Sequence, residues 1–323
     1  MSAVAPTERS FGKMPEISIS ELKRQLENPG EAVSLAEALY CERIDEIARR
    51  IVESGSIRVV LLSGPSGSGK TTTANLIADR IRALGEKSMV ISMDDFYMNL
   101  DDERYPRLEN GENDFESPDA LDEACMLRTL GDIISGRSFT VPKYDFKAGG
   151  RGGFGEYPSF GDGCVIVEGI HALNPRFSDP FPKDSVLKVF VSVSTNIYNS
   201  KGRIISGKKL RFVRRAVRDS IYRGADVLRT LSMWTNVLKG EEQYLYPYKD
   251  TADVRFDTFH IFEPAVMKPY ILTMLTDEVT SVNPYARAVR EAMEQMPELP
   301  EDIVPQSSLI REFIPGGIYE ELY

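Results

Sequence analysis

The chain has few of the residues that bind transition metals or cross-link proteins. Its 323 residues include three cysteines, Cys41, Cys125 and Cys164, and two histidines, His171 and His260. The cysteines are odd in number and far apart, so they match neither a disulfide framework nor a metal-ligand spacing. We therefore expect no histidine-rich metal site, and a reducing compartment for the protein.

Long apolar runs are also missing. No stretch of the sequence approaches the ~20 apolar residues that a membrane-spanning helix needs. Residues 1–13 lack the apolar core of a signal peptide. The expected setting is therefore the cytoplasm, with no membrane partner.

Basic residues are outnumbered by acidic ones. The chain has 39 Lys+Arg against 49 Asp+Glu, a formal net charge of −10. Proteins that bind duplex nucleic acid depend on a basic surface, so we expect no nucleic-acid partner. A small anion held in a local basic pocket is compatible with this balance. The hydrophobic fraction of 42% predicts a packed core, and the length allows one large domain or two.

One glycine-rich stretch organises the rest of the chain. Residues 64–71 read Gly-Pro-Ser-Gly-Ser-Gly-Lys-Thr, which fits the phosphate-binding P-loop pattern G-x-x-x-x-G-K-[ST]. Glycines let backbone N–H groups approach an anion closely. Lys70 adds a positive charge for the β- and γ-phosphates, and the Thr71 hydroxyl can ligate Mg²⁺. The residues predicted to hold the nucleotide are Gly64, Ser66, Gly67, Ser68, Gly69, Lys70, Thr71 and Thr72.

The flanking sequence agrees with this interpretation. A buried strand is predicted over 57–63 and a helix over 72–84. A strand, a glycine turn and a helix N-terminus together form a phosphate site. The alternative, a chance glycine-rich turn, does not explain why motif and context agree.

Two further predicted strands end on acids. The strand over 88–93 is followed by Asp94, and the strand over 164–169 carries Glu168. Ligands of open α/β sheets lie beyond the carboxyl ends of the strands, so Asp94 is expected to face the phosphates. An acid at such a position commonly organises Mg²⁺ beside a P-loop, which makes Glu168 a candidate together with Thr71.

A predicted helix over 208–223 has an apolar stripe and a basic face. The arginines of that face lie at i, i+3, i+4 and i+7: Arg211, Arg214, Arg215 and Arg218. A solvated face is the simple alternative. Behind a P-loop, however, guanidinium groups suit phosphate oxygens and the charge of phosphoryl transfer. Because the stripe looks too narrow to bury the whole helix, the segment 196–229 is expected to be mobile without nucleotide and to close over the phosphates.

The remaining pattern alternates strands and helices, which is typical of an α/β fold with a mainly parallel sheet and helices on both faces. Further predicted elements are strands over 186–193, 252–256 and 260–262, an edge strand over 139–144, a mobile loop over 149–155, and helices over 20–27, 32–53, 117–134, 264–275 and 286–296. The apolar residues of the C-terminal segment predict that it docks on the body.

Six motifs, in this order and spacing, resemble the uridine kinase and phosphoribulokinase family of P-loop kinases, with the closer likeness to its bacterial uridine kinase-like branch. They are residues 64–71, 92–97, 115–122, 142–146, 165–170 and 214–219. The likeness covers roughly residues 32–317. It implies a P-loop kinase domain over 31–323 behind an N-terminal arm over 1–30. A helical lid is expected at about 196–229 and a C-terminal helical tail at about 284–323.

The resemblance also implies roles for individual residues. Asp94 would accept the proton of the attacking hydroxyl, and Glu116 would hold ribose hydroxyls. Tyr97 and Tyr144 would line the acceptor pocket, and Glu168 would assist Mg²⁺. Lys70 and three lid arginines would meet the phosphates: Arg215, Arg218 and Arg223.

The expected activity is an ATP- and Mg²⁺-dependent transfer of the γ-phosphate to a small hydroxyl acceptor, first of all the 5′-hydroxyl of uridine or cytidine. Uridine kinases carry a pyrimidine-contacting histidine after the Tyr-Asp-Phe motif, where residues 147–150 are Lys-Ala-Gly-Gly, and a second lid arginine where this chain has Ala225. Another nucleoside, a sugar phosphate or a polyol therefore stays open as acceptor. A homo-oligomer also stays open, as does a regulatory nucleotide-binding protein without kinase activity. The Asn-Lys-x-Asp motif of guanine-specific switches, however, is missing from the sequence.

Overall fold

The computed structural model describes residues 15–322. The strands are β1 (Glu16–Ser18), β2 (Val59–Ser63), β3 (Ser88–Ser92), β4 (Phe139–Asp145), β5 (Gly150–Tyr157), β6 (Cys164–Glu168), β7 (Val186–Ser192), β8 (Asn196–Asn199), β9 (Gly202–Ile205) and β10 (Val254–Asp257). The α-helices are α1 (Ile19–Gln25), α2 (Pro29–Ser54), α3 (Lys70–Ala83), α4 (Glu123–Ile134), α5 (Pro175–Ser178), α6 (Gly207–Arg223), α7 (Val227–Gly240), α8 (Glu263–Met274), α9 (Asp277–Val282) and α10 (Pro284–Glu294).

Five strands form a parallel sheet in the order β10-β7-β2-β6-β3. The central strand β2 is buried along its whole length, as expected for a parallel strand with both faces covered. Its register pairs Leu62 with Glu168, and Glu168 pairs in turn with Ser92 of β3. The carboxyl ends of β2, β6 and β3 therefore lie side by side, and the predicted parallel α/β fold is confirmed.

Alternate residues of β2 face two separate cores. Val60 and Leu62 pack in a core with buried residues of α2, α3, α6, α8 and α10. Val59 and Leu61 point to the opposite core, which includes residues of α4 and β4. The period of two in a strand produces this division. Helices on both faces of the sheet are thus confirmed.

The glycine-rich segment 149–155 is not a mobile loop, so that prediction is wrong. It forms most of β5, which pairs antiparallel with β4 from Phe139–Tyr157 to Asp145–Gly150. The Phe139 and Tyr157 rings stack with centroids 5.4 Å apart. The glycines obscured a strand because they alternate with larger residues and leave little apolar pattern. The predicted strand over 139–144 is present, but in this separate hairpin.

Two other element predictions are corrected. The helix predicted over 117–134 begins at Glu123, because Asp122 Oδ1 caps it by accepting from the Cys125 N–H at 2.9 Å. Residues 118–120 form a separate 3₁₀ turn. Residues 260–262 form no strand and instead lead into α8. The His260 N–H donates a hydrogen bond to Glu263 Oε2 at 3.1 Å, which joins this segment to the start of α8.

The N-terminal part of the described chain packs on the body. The helix predicted over 20–27 is present as α1, and β1 pairs parallel with β8. Leu22 of α1 is fully buried in the larger core. The division of the chain at residue 30 stays a prediction, and the predicted absence of a signal peptide concerns residues outside the described range.

The C-terminal segment is docked as predicted. Four of its apolar side chains are fully buried in the larger core: Leu309, Ile310, Phe313 and Ile314. The Arg214 guanidinium carbon of α6 lies 5.1 Å from the centre of the Phe313 ring, within cation–π range. Among residues 15–322, no helix is long and apolar enough to cross a membrane.

This docking predicts a large loss of stability for Phe313→Ala. The substitution empties a fully buried site, and such truncations lower the free energy of unfolding by about 3–5 kcal/mol. The control is Ile318→Ala in the same segment, whose side chain is half exposed; it should change stability by less than about 0.5 kcal/mol. Urea unfolding of both variants measures the difference. Equal, small effects would show that the segment is only loosely attached.

Candidate functional site

The turn between β2 and α3 has a backbone that glycine alone fits well. Gly67 and Gly69 have φ angles of 72° and 85°, in the left-handed region that other residues rarely adopt. A Cβ on Gly64 would lie 2.2 Å from the Val191 carbonyl oxygen of β7. The turn therefore needs its glycines for backbone shape and for close packing against the sheet.

Three consecutive carbonyl oxygens of this turn accept hydrogen bonds from side chains of α6 and of the segment that follows β10. The Ser66 carbonyl accepts from Arg211 Nη1 at 2.9 Å, and the Gly67 carbonyl accepts from Arg214 Nη1 at 3.3 Å. The Ser68 carbonyl accepts from the Thr258 hydroxyl at 2.7 Å. The Ser66 and Ser68 N–H groups are engaged as well, with Glu241 and with the Pro65 carbonyl. The donors for an anion would therefore be other N–H groups of the turn and of the start of α3.

Arg211 and Arg214 are themselves fixed by buried carboxylates. Arg211 makes two hydrogen bonds to Glu241, at 2.6 and 2.8 Å, and Arg214 is hydrogen-bonded to Glu263. All four side chains are at most 2% exposed. The expectation that these two arginines are available to meet phosphate is therefore wrong, since carboxylates and loop carbonyls already use them; the alternative of a solvated face is wrong for them too, because both are buried.

The helix that carries these arginines is packed more deeply than its sequence suggested. Besides Leu210, Val213 and Val217 of the predicted stripe, α6 buries Phe212 and Ala216 against its neighbours. The expectation that the stripe is too narrow to bury the helix is wrong. Movement of the segment 196–229 stays a prediction, and this burial argues against α6 moving as a whole.

The other three arginines of α6 converge on one carboxylate. Asp219 lies 3.3 Å from Arg215, 3.0 Å from Arg218 and 3.3 Å from Arg223. Arg215 Nη1 also donates to the Ser66 hydroxyl at 2.8 Å. The positive charge of the nearby Arg218 guanidinium lowers the pKa of Arg223, and burial is the second cause. One anion facing three cations leaves excess positive charge next to the loop.

Lys70, Thr71 and Glu168 meet at the start of α3. Lys70 Nζ donates to the Pro65 carbonyl at 3.2 Å. Glu168 Oε1 accepts from Thr71 Oγ1 at 3.4 Å and from Ser92 Oγ at 3.2 Å. Burial raises the pKa of Glu168 to about 7, and the charge of Lys70 opposes that rise.

This donor set fits Mg²⁺ better than a metal held by protein alone. Within the described part of the chain, no group of three or more His, Cys, Asp or Glu side chains could hold a metal ion. Mg²⁺ is commonly bound by one or two carboxylates together with phosphate and water oxygens. The Thr71 hydroxyl and the Glu168 carboxylate, adjacent to a phosphate turn, match that pattern.

Asp94 opens the short 3₁₀ helix that follows β3, where the Ser92 hydroxyl caps its N–H at 3.3 Å. More than a third of the residue is accessible to solvent, although protein surrounds the cleft. The surrounding protein raises the pKa of Asp94, while Lys70, Arg223 and Arg218 oppose the rise. Asp94 is therefore an exposed residue whose carboxyl lies within electrostatic range of Lys70, Arg223 and Arg218.

The residues predicted for the acceptor lie next to Asp94. The Tyr97 hydroxyl donates to the Phe115 carbonyl at 2.8 Å, and the Tyr97 and Tyr144 rings meet edge to face at 5.9 Å. Burial raises the pKa of Glu116 to about 7, and Arg215 opposes that rise. The structure thus brings Asp94, Tyr97, Glu116 and Tyr144 together beside the loop.

Two residues of the site carry no recognisable signal of their own in the sequence: Thr258 and Glu263. Each reaches the loop or its arginines from a segment that is remote along the chain. Glu241 and Glu312 are different, because residues 240–242 (Gly-Glu-Glu) and 309–314 are two further stretches of the sequence that resemble the bacterial branch of the family. Glu312 accepts from the Thr72 hydroxyl at 2.9 Å, and the Glu241 carboxylate accepts from the Ser66 N–H at 3.0 Å.

A model of the phosphoribulokinase / uridine kinase family matches residues 59–261. That range exceeds half of the chain and contains the turn, Asp94, Glu168 and the arginines of α6. The chain belongs to this family of kinases, as its motifs suggested.

Individual relatives share part of their length with this chain. The uridine kinase of Schizosaccharomyces pombe is 32% identical over 188 residues, 57% of this chain and 36% of the relative. Uridine kinase-like protein 3 of Arabidopsis thaliana is 26% identical over 220 residues, 68% of this chain and 42% of the relative. The chain thus spans about two fifths of the length of these curated relatives. The phosphoribulokinase structure from Rhodobacter spheroides has a TM-score of 0.41 at 16% identity, covering 63% of this chain and 70% of that one, a likeness too low to carry an argument.

The raised pKa of Glu168 predicts a pH-dependent effect of Glu168→Gln. Because the folded state favours the protonated acid, the wild-type residue contributes stability below pH 4.5 that is lost as the pH rises to about 7. The glutamine does not titrate. The stability of the variant relative to wild type should therefore increase across this window by up to about 1.4 kcal/mol per pH unit.

Urea unfolding at several pH values without nucleotide measures this difference. The control is Glu86→Gln, a change at an exposed residue, which should show no such trend. A Glu168→Gln difference that is constant from pH 4.5 to 8 would contradict the assignment of a raised pKa to this carboxyl.

Proposed function

We propose that the protein is an ATP- and Mg²⁺-dependent kinase that transfers the γ-phosphate to a hydroxyl of a small acceptor. The observation that carries the proposal is the position of Asp94, an exposed residue directly after β3 that lies within electrostatic range of Lys70, Arg218 and Arg223. Membership of the phosphoribulokinase / uridine kinase family supports the kinase role. The first candidate acceptor is the 5′-hydroxyl of uridine or cytidine, because curated relatives carry the name uridine kinase.

On the nucleotide side, the proposed ligands are the turn residues and the first turn of α3: Gly64, Ser66, Gly67, Ser68, Gly69, Lys70, Thr71 and Thr72. Arg223 is proposed to contact the nucleotide phosphates as well. Thr71 and Glu168 would hold Mg²⁺, which supplies charge neutralisation for the phosphates. The support is the shape of the turn, whose glycines have left-handed backbone angles and whose carbonyl groups are hydrogen-bonded on the side away from the proposed anion.

On the acceptor side, Asp94 is proposed to accept the proton of the attacking hydroxyl. The surrounding protein raises the pKa of this carboxyl, and a more basic carboxylate is a better general base. Lys70, Arg215 and Arg218 would stabilise the charge that develops on the transferred group. Glu116, Tyr97 and Tyr144 would position the acceptor.

The acceptor is proposed at the level of a class. Residues 147–150 lack the histidine with which uridine kinases contact the pyrimidine. A different nucleoside, a sugar phosphate or a polyol is therefore the alternative acceptor, and a nucleotide-binding regulatory protein is the alternative without catalysis. A cytoplasmic setting is proposed too, and three free cysteines support it.

The test is an ATP-consumption assay over a panel of nucleosides, sugar phosphates and polyols, with wild type and Asp94→Asn. We expect at least one acceptor to stimulate ADP formation in the wild type. The Asp94→Asn variant should lose ~10²–10⁴-fold in turnover, because general-base catalysis is worth about that much. Its nucleotide affinity should change little, since Asp94 faces the acceptor.

The control is Asp101→Asn, which removes an exposed acid in the loop that follows and should leave turnover unchanged. Retention of more than about a tenth of turnover by Asp94→Asn would exclude Asp94 as the base. Tight ATP binding with no stimulation by any acceptor would instead favour the regulatory alternative.

A further inference from the structure

A carboxylate from the C-terminal segment lies on the first turn of α3. Glu312 Oε2 accepts from the Thr72 N–H at 3.2 Å and from the Thr72 hydroxyl at 2.9 Å. Glu312 is 3% exposed. Thr72 directly follows the P-loop motif and is one of the residues proposed to hold the nucleotide. The segment therefore occupies two donors of the proposed phosphate site.

The other charges near Glu312 are also those proposed to meet phosphate. Arg218 Nη1 lies 3.9 Å from Glu312 Oε1. Burial lowers the pKa of Lys70. The negative charges of Glu168, Glu312 and Asp94 oppose this lowering, and their effects decrease in that order. Glu312 is thus close to Arg218 and within electrostatic range of Lys70, and its charge also acts on the buried Tyr40 behind α3.

Neighbouring residues anchor the backbone around Glu312. The flanking side chains of Ile310 and Phe313 are fully buried in the core. Leu309 packs so closely on the turn that a Cβ on Gly69 would lie 2.5 Å from its Cδ1. The backbone of the segment is therefore anchored, and the freedom that remains to Glu312 is rotation of its own side chain.

A nucleotide phosphate and the Glu312 carboxylate require the same kind of environment. Both are anions that accept hydrogen bonds from N–H groups at a helix N-terminus and pair with lysine and arginine. One Thr72 N–H cannot serve both, and two anions this close repel each other.

We propose that Glu312 takes the place of a nucleotide phosphate in the empty protein and must turn away from Thr72 when nucleotide binds. The C-terminal segment is then an autoinhibitory contact that lowers nucleotide affinity. This inference rests on the nucleotide-binding half of the proposed function, and it is independent of the acceptor and of the transfer step.

The test is calorimetric titration of wild type and Glu312→Gln with ADP and with inorganic pyrophosphate, in the absence of any acceptor. The glutamine keeps the shape and an acceptor for Thr72 but removes the charge. We expect the Kd for both ligands to fall at least fivefold. Glu321→Gln is the control, because it removes the same charge from an exposed position of the same segment and should leave the Kd unchanged.

A second variant, Glu312→Ala, guards against a folding defect of the first, and thermal unfolding without ligand checks both. Equal or weaker binding by the folded Glu312 variants would overturn the inference while leaving nucleotide binding intact. A loss of turnover at unchanged Kd would also overturn it, since Glu312 would then position the bound nucleotide. If neither wild type nor variants bound ADP or pyrophosphate, the proposed function and the inference would fail together.

Discussion

The glycine-rich turn between β2 and α3 is held by two buried arginine–glutamate pairs behind it. Arg211 and Arg214 lie three residues apart on α6, and each bridges a buried carboxylate to a carbonyl of the turn. Burying such pairs costs desolvation energy that their attraction offsets only in part, so they need not add to stability. Their effect is on the backbone conformation of the turn. They hold its carbonyl groups on one side, so that the opposite side is open to an anion.

The parallel sheet supplies the second requirement, which is convergence. The order β7-β2-β6-β3 sets the end of β2 beside that of β6, and the end of β6 beside that of β3. Residues far apart in sequence, such as Lys70, Asp94 and Glu168, therefore meet in one cleft. The hairpin β4–β5 adds Tyr144 from the side, where the Tyr144 N–H donates to Asp95 Oδ1 at 3.2 Å. Transfer from a nucleotide to a hydroxyl needs this kind of alignment more than it needs unusual chemistry.

Much of the sheet and its loop could be predicted from the sequence, because local patterns determine them. Apolar runs before Gly64, Asp94 and Glu168 identify three strands of the sheet, and the glycine pattern identifies the turn between β2 and α3. The glycine-rich β5 could not be predicted, since its stability comes from pairing with β4 and not from its own side chains. Arg211 and Arg214 were misassigned for a similar reason. An arginine on a basic helix face behind a P-loop looks available for phosphate until a remote acid such as Glu241 or Glu263 is known to face it.

The central claim is that buried ion pairs hold the turn in its phosphate-binding shape. Calorimetric titration with Mg·ATP of a double variant, Arg214→Met with Glu263→Gln, tests it most directly. The variant removes the bond to the Gly67 carbonyl without leaving an unpaired charge, and the glutamine keeps an acceptor for the His260 N–H. Circular dichroism establishes that it is folded, and Arg290→Met with Asp277→Asn, an ion pair between α10 and α9, is the control. We expect the double variant to bind at least tenfold more weakly than wild type and the control to bind normally. Wild-type affinity in the folded double variant would contradict the account.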